Sequence, residues 1–357
     1  MPNHRYGVIM AGGRGTRFWP RSRKRSAKQV LRFFGERTLV QQAVDRLQGV
    51  LPVQNIWIFT NEFVQPEIRK QLPEIPKRQI IAEPSQQNTA PCIALAAHIL
   101  NELDPQAVMG VFPADHLIVN GARFRKFVRV AFAATGTSSV VVLGIQPRWA
   151  ETGYGYIEFP KNVAAGNMDV LPVASFREKP DTRTAQKFVE RGNFYWNAGM
   201  FFWRASTVLD LMRHHQSKTA TLLAGLPPFG SRQFHSKLAQ VYPLCENISI
   251  DYAIIEKAGQ VSGIALDDIG WNDVGSWEAV YTLAEKDANG NASRCELIAE
   301  ASRGNYVEAK KVVALAGIEN LVIVDTPDAL LIASRSNAQD VSKLVKTLEA
   351  KGREELL

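Results

Sequence analysis

The stretch Tyr6-Gly-Val-Ile-Met-Ala-Gly-Gly-Arg-Gly-Thr-Arg17 joins a short apolar segment directly to a loop that holds three glycines. Tyr6–Met10 has the apolar, β-branched character of a buried strand. Similar strand patterns alternate with helical patterns over the first half of the chain. The further strands are Asn55–Thr60, Arg78–Ala82, Ala107–Phe112 and Ser139–Ile145, and the helices are Thr38–Gln48, Ile93–Leu103 with its start near Asn88, and Asn120–Ala134.

This alternation predicts an α/β fold, a Rossmann-like, mixed but mainly parallel sheet with helices on both faces. Ligands of such sheets bind beyond the carboxyl ends of the strands. The loops after Met10, Ala82 and Phe112 are therefore the places where a binding site is expected.

From about Gly153 the pattern becomes less regular, which indicates a substrate-binding lobe laid over the first half. Its predicted strands are Tyr154–Phe159, Val173–Phe176 and Ala198–Trp203, and its helices are Thr182–Arg191, Ser206–His214 and Ser249–Ala258. The polar run Asp287–Ser293 is the best linker candidate. The segments beyond it predict a small domain of short strands and a final helix, namely Asn305–Val313, Leu321–Asp325, Ala329–Ala333 and Asn337–Lys351.

The predicted organisation is a catalytic domain at 1–286 and a small C-terminal domain at 294–357. The catalytic domain divides into a nucleotide half at about 1–150 and the lobe at about 151–286. The C-terminal domain has no obvious catalytic content, so bracing or oligomer contact is expected of it.

Composition excludes several classes of protein. The chain has 357 residues, of which 46% are hydrophobic and 22% charged, as in an ordinary globular protein rather than a disordered chain or a collagen. Its three cysteines lie far apart and form no CxxC pair, which fits a reducing, cytoplasmic setting and argues against a cysteine zinc site. No apolar run approaches the length of about 18 residues that a membrane span needs. The N-terminus runs straight into a strand, so no signal peptide and no membrane partner are expected.

The net charge of +7 is concentrated in one segment. Nine basic residues lie between Arg14 and Arg37 against one acidic residue, Glu36. A nucleic-acid-binding protein usually spreads its basic residues over a face, so this concentration beside glycines favours a small polyanion and no nucleic acid. The loop matches neither GxGxxG, because Phe18 replaces the third glycine, nor GxxxxGK[ST]. A dinucleotide oxidoreductase and a P-loop ATPase therefore lose their main support.

Residues 11–31, AGGRGTRFWPRSRKRSAKQVL, resemble the GGxGTRLxP…PK signature of sugar-1-phosphate nucleotidyltransferases. The pairs Trp19-Pro20 and Lys28-Gln29 are similar to those of the GTP-using mannose-1-phosphate guanylyltransferases. Seven further blocks of this family follow in the same order. They are EP…NTAP (83–91), FPADH (112–116), GYGYIE (153–158), FREKPD (176–181), WNAGMF (196–201), SIDY (249–252) and WNDVGSW (271–277).

The resemblance implies the nucleotidyltransferase fold and the transfer of GMP from GTP to α-D-mannose 1-phosphate, giving GDP-mannose and pyrophosphate. A sugar-phosphate oxygen would attack the α-phosphorus in line, and no covalent enzyme intermediate is needed. Because both substrates are highly anionic, positioning and charge neutralisation must supply most of the catalysis. The implied cofactor is Mg²⁺.

The resemblance also implies roles for individual residues. Arg17 and Lys28 are the expected catalytic cations, and Asp115 and Asp273 the expected metal ligands. The expected nucleotide contacts are Ala11, Gly12, Gly13, Gly15, Thr16, Glu83, Asn88 and Thr89. The expected sugar-phosphate contacts are Gly153, Glu178, Lys179 and Asn197.

Several alternatives stay open at this point. Asn88 is equally suited to be a helix N-cap, and Arg17 to form a surface ion pair. Gln87 stands where this family commonly has arginine, which could alter base selectivity. The chain could act on another hexose 1-phosphate, or be a non-catalytic nucleotide-sugar sensor, although a sensor would be expected to lack a catalytic cation or a metal ligand.

Two expectations concern the whole molecule. The chain ends at Leu357, which leaves no room for the isomerase domain that many relatives carry, so a single activity is expected. A homodimer is the expected assembly.

Overall fold

The computed structural model describes residues 4–137 and 139–357, so expectations for residues 1–3 lie outside the described residues. The strands are β1 (Arg5–Ala11), β2 (Ile56–Asn61), β3 (Ile80–Glu83), β4 (Val108–Pro113), β5 (Leu117–Ile118), β6 (Val140–Ile145), β7 (Tyr156–Glu158), β8 (Leu171–Pro172), β9 (Ser175–Arg177), β10 (Phe194–Arg204), β11 (Val261–Leu266), β12 (Trp271–Asn272), β13 (Ala292–Ser293), β14 (Leu297–Glu300), β15 (Tyr306–Glu308), β16 (Val313–Ala316), β17 (Leu321–Asp325) and β18 (Leu330–Ser334). The helices are α1 (Leu39–Leu47), α2 (Gln65–Gln71), α3 (Thr89–Leu103), α4 (Gly121–Ala134), α5 (Thr182–Arg191), α6 (Ala205–His215), α7 (Ser217–Ala224), α8 (Phe234–Val241), α9 (Ile250–Ala253), α10 (Trp277–Leu283) and α11 (Val341–Ala350).

The main sheet has the strand order β3-β2-β1-β4-β10-β6-β11-β8. Strands β3, β2, β1 and β4 run parallel, β10 is antiparallel to both of its neighbours, and β6 pairs parallel with β11. Val8 and Ile9 of β1 are both fully buried, and they belong to two different hydrophobic clusters. Successive side chains of a strand point to opposite faces, so both faces of this sheet are covered. The predicted fold class is confirmed.

Most elements lie where the sequence patterns predict them, with three differences. The helix predicted at Ser249–Ala258 is only the short α9, followed by a 3-10 turn at Ile255–Lys257. The strand predicted at Val173–Phe176 is found only in part, because β8 ends before it at Pro172 and β9 covers Ser175–Arg177. The strand predicted at Asn305–Val313 is two strands, β15 and β16, because the exposed Lys310 and Lys311 lie in a turn between them.

The C-terminal region shares a hydrophobic core with the segment that follows the glycine loop. Phe18 packs edge-on against Trp277 with ring centroids 5.3 Å apart, and Trp277 lies 5.5 Å from Tyr306. Trp19 completes the contact, because its Nε1–H donates to the carbonyl oxygen of Leu356 at 2.9 Å. The end of the chain is therefore packed against the beginning.

The basic segment, residues 14–37, forms ion pairs with the C-terminal region. Arg14 binds Glu349 at 2.5 Å and Arg23 binds Asp328 at 2.9 Å. Two further pairs join Arg21 to Glu308 and Lys24 to Glu354. Much of the positive charge that the sequence analysis assigned to a small polyanion is thus neutralised by the protein itself, because acidic residues from the far end of the chain fold onto it.

Within the two described ranges, no helix is both long enough and apolar enough to cross a bilayer.

Candidate active site

A cleft of about 870 Å³ opens at the carboxyl ends of β1, β3 and β4, where the fold class predicts a ligand site. Its wall includes every predicted site residue except Arg17 and Lys179. Those that line it are Ala11, Gly12, Gly13, Gly15, Thr16, Lys28, Glu83, Asn88, Thr89, Asp115, Gly153, Glu178, Asn197 and Asp273.

The glycine loop is fixed by hydrogen bonds at its base. The Ala11 carbonyl oxygen accepts from Thr60 Oγ1 at 2.9 Å and from Gln29 Nε2 at 2.5 Å. Gly15 has a φ of +64°, and a Cβ atom there would lie 2.5 Å from the Cβ of Lys28. Only glycine fits this conformation without strain, so Gly15 is what allows Lys28 to pack against the loop.

Lys28 links the two predicted metal ligands. Its Nζ donates to Asp115 Oδ2 and to the backbone carbonyl of Asp273, both at 2.8 Å, and its side chain is only 7% exposed. Burial by itself would raise the pKa of the Asp115 carboxyl, but the charge and the hydrogen bond of the Lys28 ammonium outweigh it and hold that pKa below its usual value. Asp115 therefore stays ionised at neutral pH.

Asp273 is oriented by an aromatic residue from the lobe. The Tyr154 hydroxyl donates to Asp273 Oδ1 at 2.6 Å. Burial, and then the charge of Asp273, raise the pKa of Tyr154, so this hydroxyl keeps its proton. The contact joins the lobe to the two predicted metal ligands.

His116, next to Asp115, contacts other parts of the protein through both its ring and its backbone. Trp271 Nε1 donates to its Nδ1 at 3.2 Å, and its backbone carbonyl accepts from Arg46 Nη1 at 2.8 Å. Burial lowers the pKa of His116, which favours the neutral ring that this contact requires.

The residues present fit a divalent ion that shares its coordination with a substrate. Asp115 and Asp273 supply hard carboxylate oxygens on the same cleft wall. Among the residues that the structure describes, no group of three or more His, Cys, Asp or Glu side chains could hold a metal ion by itself. Two carboxylates, with phosphate oxygens and water filling the other positions, make a donor set suited to Mg²⁺ rather than to Zn²⁺.

At the predicted base-binding wall, Glu83 is buried and accepts a hydrogen bond from the Tyr242 hydroxyl. Burial raises the pKa of Glu83 to about 7, although Tyr242 and Cys92 oppose this. Gln87 donates through Nε2 to the Pro243 carbonyl at 2.9 Å, which gives this departure from the family pattern a structural role.

The Asn88 and Thr89 side chains line the cleft and also form hydrogen bonds within the protein. Asn88 is the N-cap of α3, and its side chain accepts from Thr89 N at 2.9 Å. The Thr89 hydroxyl accepts from Ile250 N at 2.8 Å. These bonds fix the start of α3 to the start of α9.

At the lobe end of the cleft, two carboxyl groups lie close together. Asn197 Nδ2 donates to Asp251 Oδ1 at 3.0 Å, and Glu178 lies so near Gly155 that a Cβ there would be 2.4 Å from Glu178 Oε2. Burial, and then the charge of Glu178, raise the pKa of Asp251 to about 7. Burial also raises the pKa of Glu178.

Asp251 was absent from the predicted site residues although it lies in the SIDY block. The signal that could have found it is Ser249, whose side chain caps α9 and thereby fixes where the helix begins. Because α9 begins beside the cleft, the acidic residue that follows its cap, Asp251, lies on the cleft wall.

Arg17 and Lys179 lie outside the cleft wall. Arg17 is exposed, and its Nη1 donates weakly to the Gly275 carbonyl at 3.4 Å, which leaves it at the rim near Asp273. The Lys179 side chain is 57% exposed and pairs with Glu178 at 3.2 Å.

The C-terminal helix α11 contributes to the same cleft, which the sequence did not indicate. Ser342, Val345, Lys346 and Glu349 line the wall beside the glycine loop. Their spacing places them on one face of the helix. A region that the sequence analysis credited with no catalytic content therefore forms part of the site.

The glycine loop with its paired lysine and carboxylates matches a known family. Residues 6–290 match the family model described as nucleotidyl transferase. The chain belongs to the nucleotidyl transferase family. Residues 298–348 match a second model, described as a MannoseP isomerase/GMP-like beta-helix domain. Nucleotidyl transferases usually use a divalent metal ion, in keeping with the carboxylate pair.

Individual nucleotidyl transferases are similar over nearly the whole chain. The mannose-1-phosphate guanylyltransferase of Escherichia coli K12 is 36% identical over 362 residues, which cover 98% of this chain and 74% of that protein. The Klebsiella pneumoniae protein of the same name is 38% identical over 355 residues, again 98% of this chain and 74% of that protein. The family assigned from the sequence motifs is confirmed.

A solved structure agrees with this grouping. The crystal structure described as mannose-1-phosphate geranyltransferase from Thermus thermophilus superposes with a TM-score of 0.84 at 29% identity. The match covers 97% of this chain and 100% of that one.

Proposed function

We propose that this chain is a mannose-1-phosphate guanylyltransferase, which transfers GMP from GTP to α-D-mannose 1-phosphate and releases pyrophosphate. The observation that carries the proposal is Lys28, which joins Asp115 to the Asp273 loop directly beside the glycine loop. The names and the near-complete coverage of the relatives support this choice of sugar and nucleotide.

Lys28 is suited to hold a phosphate group. An ammonium group has three N–H donors, of which Asp115 and the Asp273 carbonyl take two. The third is left for a phosphate oxygen in the cleft. Because the side chain is almost fully buried, its charge acts on that oxygen with little screening by water.

Asp115 and Asp273 would hold Mg²⁺, which when bound supplies positive charge to the reacting phosphates. The protein's own part is to keep Asp115 ionised and to hold both carboxylates toward the cleft. Lys28 pairs with Asp115, and the Tyr154 hydroxyl orients Asp273. The attacking sugar-phosphate oxygen is already anionic, so the reaction needs no general base.

The glycine loop would cradle the triphosphate through the backbone of Ala11, Gly12, Gly13, Gly15 and Thr16. Glu83 would accept hydrogen bonds from the donor edge of guanine, which adenine lacks. Its Oε2 is engaged by Tyr242, and its Oε1 points toward Gly12, where a Cβ would be 3.0 Å away. Asn88 and Thr89 would fix this wall and contact the ribose.

Gly153, Glu178 and Asn197 would bind the hexose, with Asp251 as a further acceptor for its hydroxyl groups. Lys179 would bind the sugar phosphate only after leaving Glu178, and Arg17 would reach the α-phosphate only by turning inward from the rim. Both side chains are exposed enough to make such a movement.

The test is pyrophosphate release in the presence of Mg²⁺. Mannose 1-phosphate and glucose 1-phosphate are each paired with GTP, ATP, UTP, CTP and dTTP. Turnover mainly with mannose 1-phosphate and GTP, abolished by a chelator, is the expected result. Turnover with another pair would contradict the substrate assignment, and nucleotide binding without any turnover would favour the sensor.

We further propose a homodimer and a cytoplasmic setting. Leu330 and Ile332 lie on edge strand β18 and are 55% and 61% exposed, and Ile298 of β14 is 59% exposed. A second copy covering these side chains would remove apolar surface from water. Light scattering of the chain and of an Ile332→Lys variant tests this, since a dimer should weaken in the variant. The free thiols of Cys92, Cys245 and Cys295 support a reducing compartment.

A further inference from the structure

Lys346, on the cleft-facing side of α11, is a cationic side chain that no part of the proposed reaction yet uses. It lines the cleft together with Glu349 and the loop residues Arg14, Gly15 and Thr16. Because α11 packs against the 3-10 turn that follows the glycine loop, this part of the wall lies at the glycine-loop end of the cleft, where the phosphates of the nucleotide are expected.

Carboxyl groups outnumber cationic side chains along the cleft, so a cation without a protein partner there matters for binding an anionic ligand. Six carboxyl groups line the wall, against three cationic side chains, Arg14, Lys28 and Lys346. Lys28 is paired with Asp115, and Arg14 with Glu349. Over residues 4–137 and 139–357, the Lys346 side chain has no hydrogen bond or ion pair. It is therefore the cleft-lining cation whose charge is not already balanced by a protein carboxylate.

A triphosphate could not be held by a wall rich in carboxylates unless cations opposed its charge. In an in-line displacement the leaving pyrophosphate departs on the side opposite the attacking sugar phosphate. The attacking group is expected at the lobe, so the leaving group is expected at the glycine loop. The wall at that end is the one to which α11 contributes.

We propose that Lys346 binds the β- and γ-phosphates of the nucleotide and the pyrophosphate formed from them, so that the C-terminal helix is part of the substrate site. Glu349 anchors the helix to the loop through Arg14, and Lys346 lies one residue after Val345, which is buried and fixes the helix face. This inference rests on the proposed function for the identity of its substrates.

The proposal makes a selective prediction, because GTP and pyrophosphate carry these phosphates while mannose 1-phosphate and GDP-mannose do not. In Lys346→Ala we expect KM for GTP in the forward direction and KM for pyrophosphate in the reverse direction to rise about tenfold. KM for mannose 1-phosphate and for GDP-mannose should stay within about twofold. Lys346→Arg should recover most of the loss.

The matched control is Lys343→Ala. Lys343 is on the same helix, is 75% exposed and pairs with Asp340 at 2.8 Å, away from the cleft. All four KM values should be unchanged in this variant. Four unchanged values in Lys346→Ala, or an equal rise in all four, would overturn the proposal.

Calorimetry with inorganic pyrophosphate and Mg²⁺ separates this inference from the proposed function. If the wild-type chain turns over no substrate pair, the proposed function fails, but weaker pyrophosphate binding by Lys346→Ala than by Lys343→Ala would still support the role of Lys346. Equal binding by the two variants, or no binding by the wild-type chain, would contradict it.

Discussion

The two ends of the cleft handle charge in opposite ways. At the glycine-loop end, Lys28 and Arg14 are each paired with a carboxylate. At the lobe end, Glu178 and Asp251 are two carboxyl groups whose charges repel each other, even though the exposed Lys179 pairs with Glu178. The pKa is lowered for Asp115 at the first end and raised for Asp251 at the second.

This difference matches what each end is expected to bind. Phosphate groups and a divalent ion bind to ionised side chains. The paired lysine and carboxylate groups of the loop end provide both signs of charge, and each can change its partner when a ligand binds. A hexose offers neutral hydroxyl groups, which can both donate and accept. A carboxyl group that is partly protonated near pH 7 can likewise do both. We therefore expect the lobe end, unlike the Lys28–Asp115 pair, to respond to pH near neutrality.

The largest effect should come from removing the central cation of the loop end. Lys28→Met keeps an unbranched apolar stem but removes the ammonium group, together with its position over the Phe18 ring. We expect kcat/KM to fall about 1,000-fold, because a preorganised donor to the phosphates is lost and the pKa of Asp115 is no longer held down. Steady-state kinetics and a melting curve measure this.

The control for Lys28→Met is Arg32→Met, which removes a charge from an exposed position of the basic segment outside the cleft wall. Its kcat/KM should stay within about twofold of wild type. A similar loss in both variants would mean that diffuse positive charge, and not the geometry of Lys28, is what matters.

The contact between the basic segment and the C-terminal region should depend mainly on its most buried pair. Glu308 is 8% exposed and also accepts from the Tyr306 hydroxyl at 2.7 Å. Arg21→Met leaves this carboxylate without its counter-ion, so we expect a loss of about 3 kcal/mol in the free energy of unfolding. Denaturant unfolding measures it.

Lys24→Met is the comparison variant, because its partner Glu354 is 69% exposed. A surface pair should contribute at most about 0.5 kcal/mol. Equal losses in Arg21→Met and Lys24→Met would show that burial does not decide the strength of these contacts.

A smaller loss in the free energy of unfolding should follow when a methyl group is added to the glycine loop. Gly15→Ala forces a side chain into a left-handed conformation and against Lys28, so we expect a loss of about 2 kcal/mol in stability. At Gly13 a Cβ would meet no atom within 4 Å, and Gly13→Ala should cost far less. Melting curves of the two variants compare them, and equal losses would refute the packing argument.

The smallest effect should appear at the lobe end and should depend on pH. Because the folded pKa of Asp251 is about 7 and its ordinary value is 3.8, the native state keeps a proton that the unfolded chain releases. Its contribution to stability therefore falls as pH rises from about 4 to about 7. Asp251→Asn cannot titrate, so we expect its Tm, measured relative to that of wild type, to be about 2 °C higher at pH 8 than at pH 5.

Asp169→Asn, at an exposed position, is the control and should show no such dependence on pH. If the Tm difference between Asp251→Asn and wild type is the same at both pH values, Asp251 is not the group that makes the lobe end sensitive to pH.

Local patterns predicted the elements whose ends are set by nearby residues. Helix α5 begins and ends where the sequence predicts, because Asp181 caps its start and Gly192, with a φ of +72°, ends it. The strand ends that bear Glu83 and Asp115 were also found, since parallel strands bring their carboxyl ends to one edge.

The parts that the sequence could not predict depend on contacts between distant residues. Arg14 and Glu349 are 335 positions apart, and neither residue carries a local signal of the pairing. The place of α11 in the cleft follows from this pairing and from the shared core around Trp277. The Ser249 cap marks the helix start beside Asp251, but the surroundings of that carboxyl group are made by Asn197 and Glu178, which come from other elements and carry no local signal.

The most direct test of the central claim follows GTP labelled at its α-phosphate. With mannose 1-phosphate and Mg²⁺ present, the account predicts that the label appears in GDP-mannose with one pyrophosphate released for each molecule formed, and that no label stays on the protein. Label attached to the protein when mannose 1-phosphate is left out, or no labelled GDP-mannose when it is present, would contradict direct transfer between the two ends of the cleft.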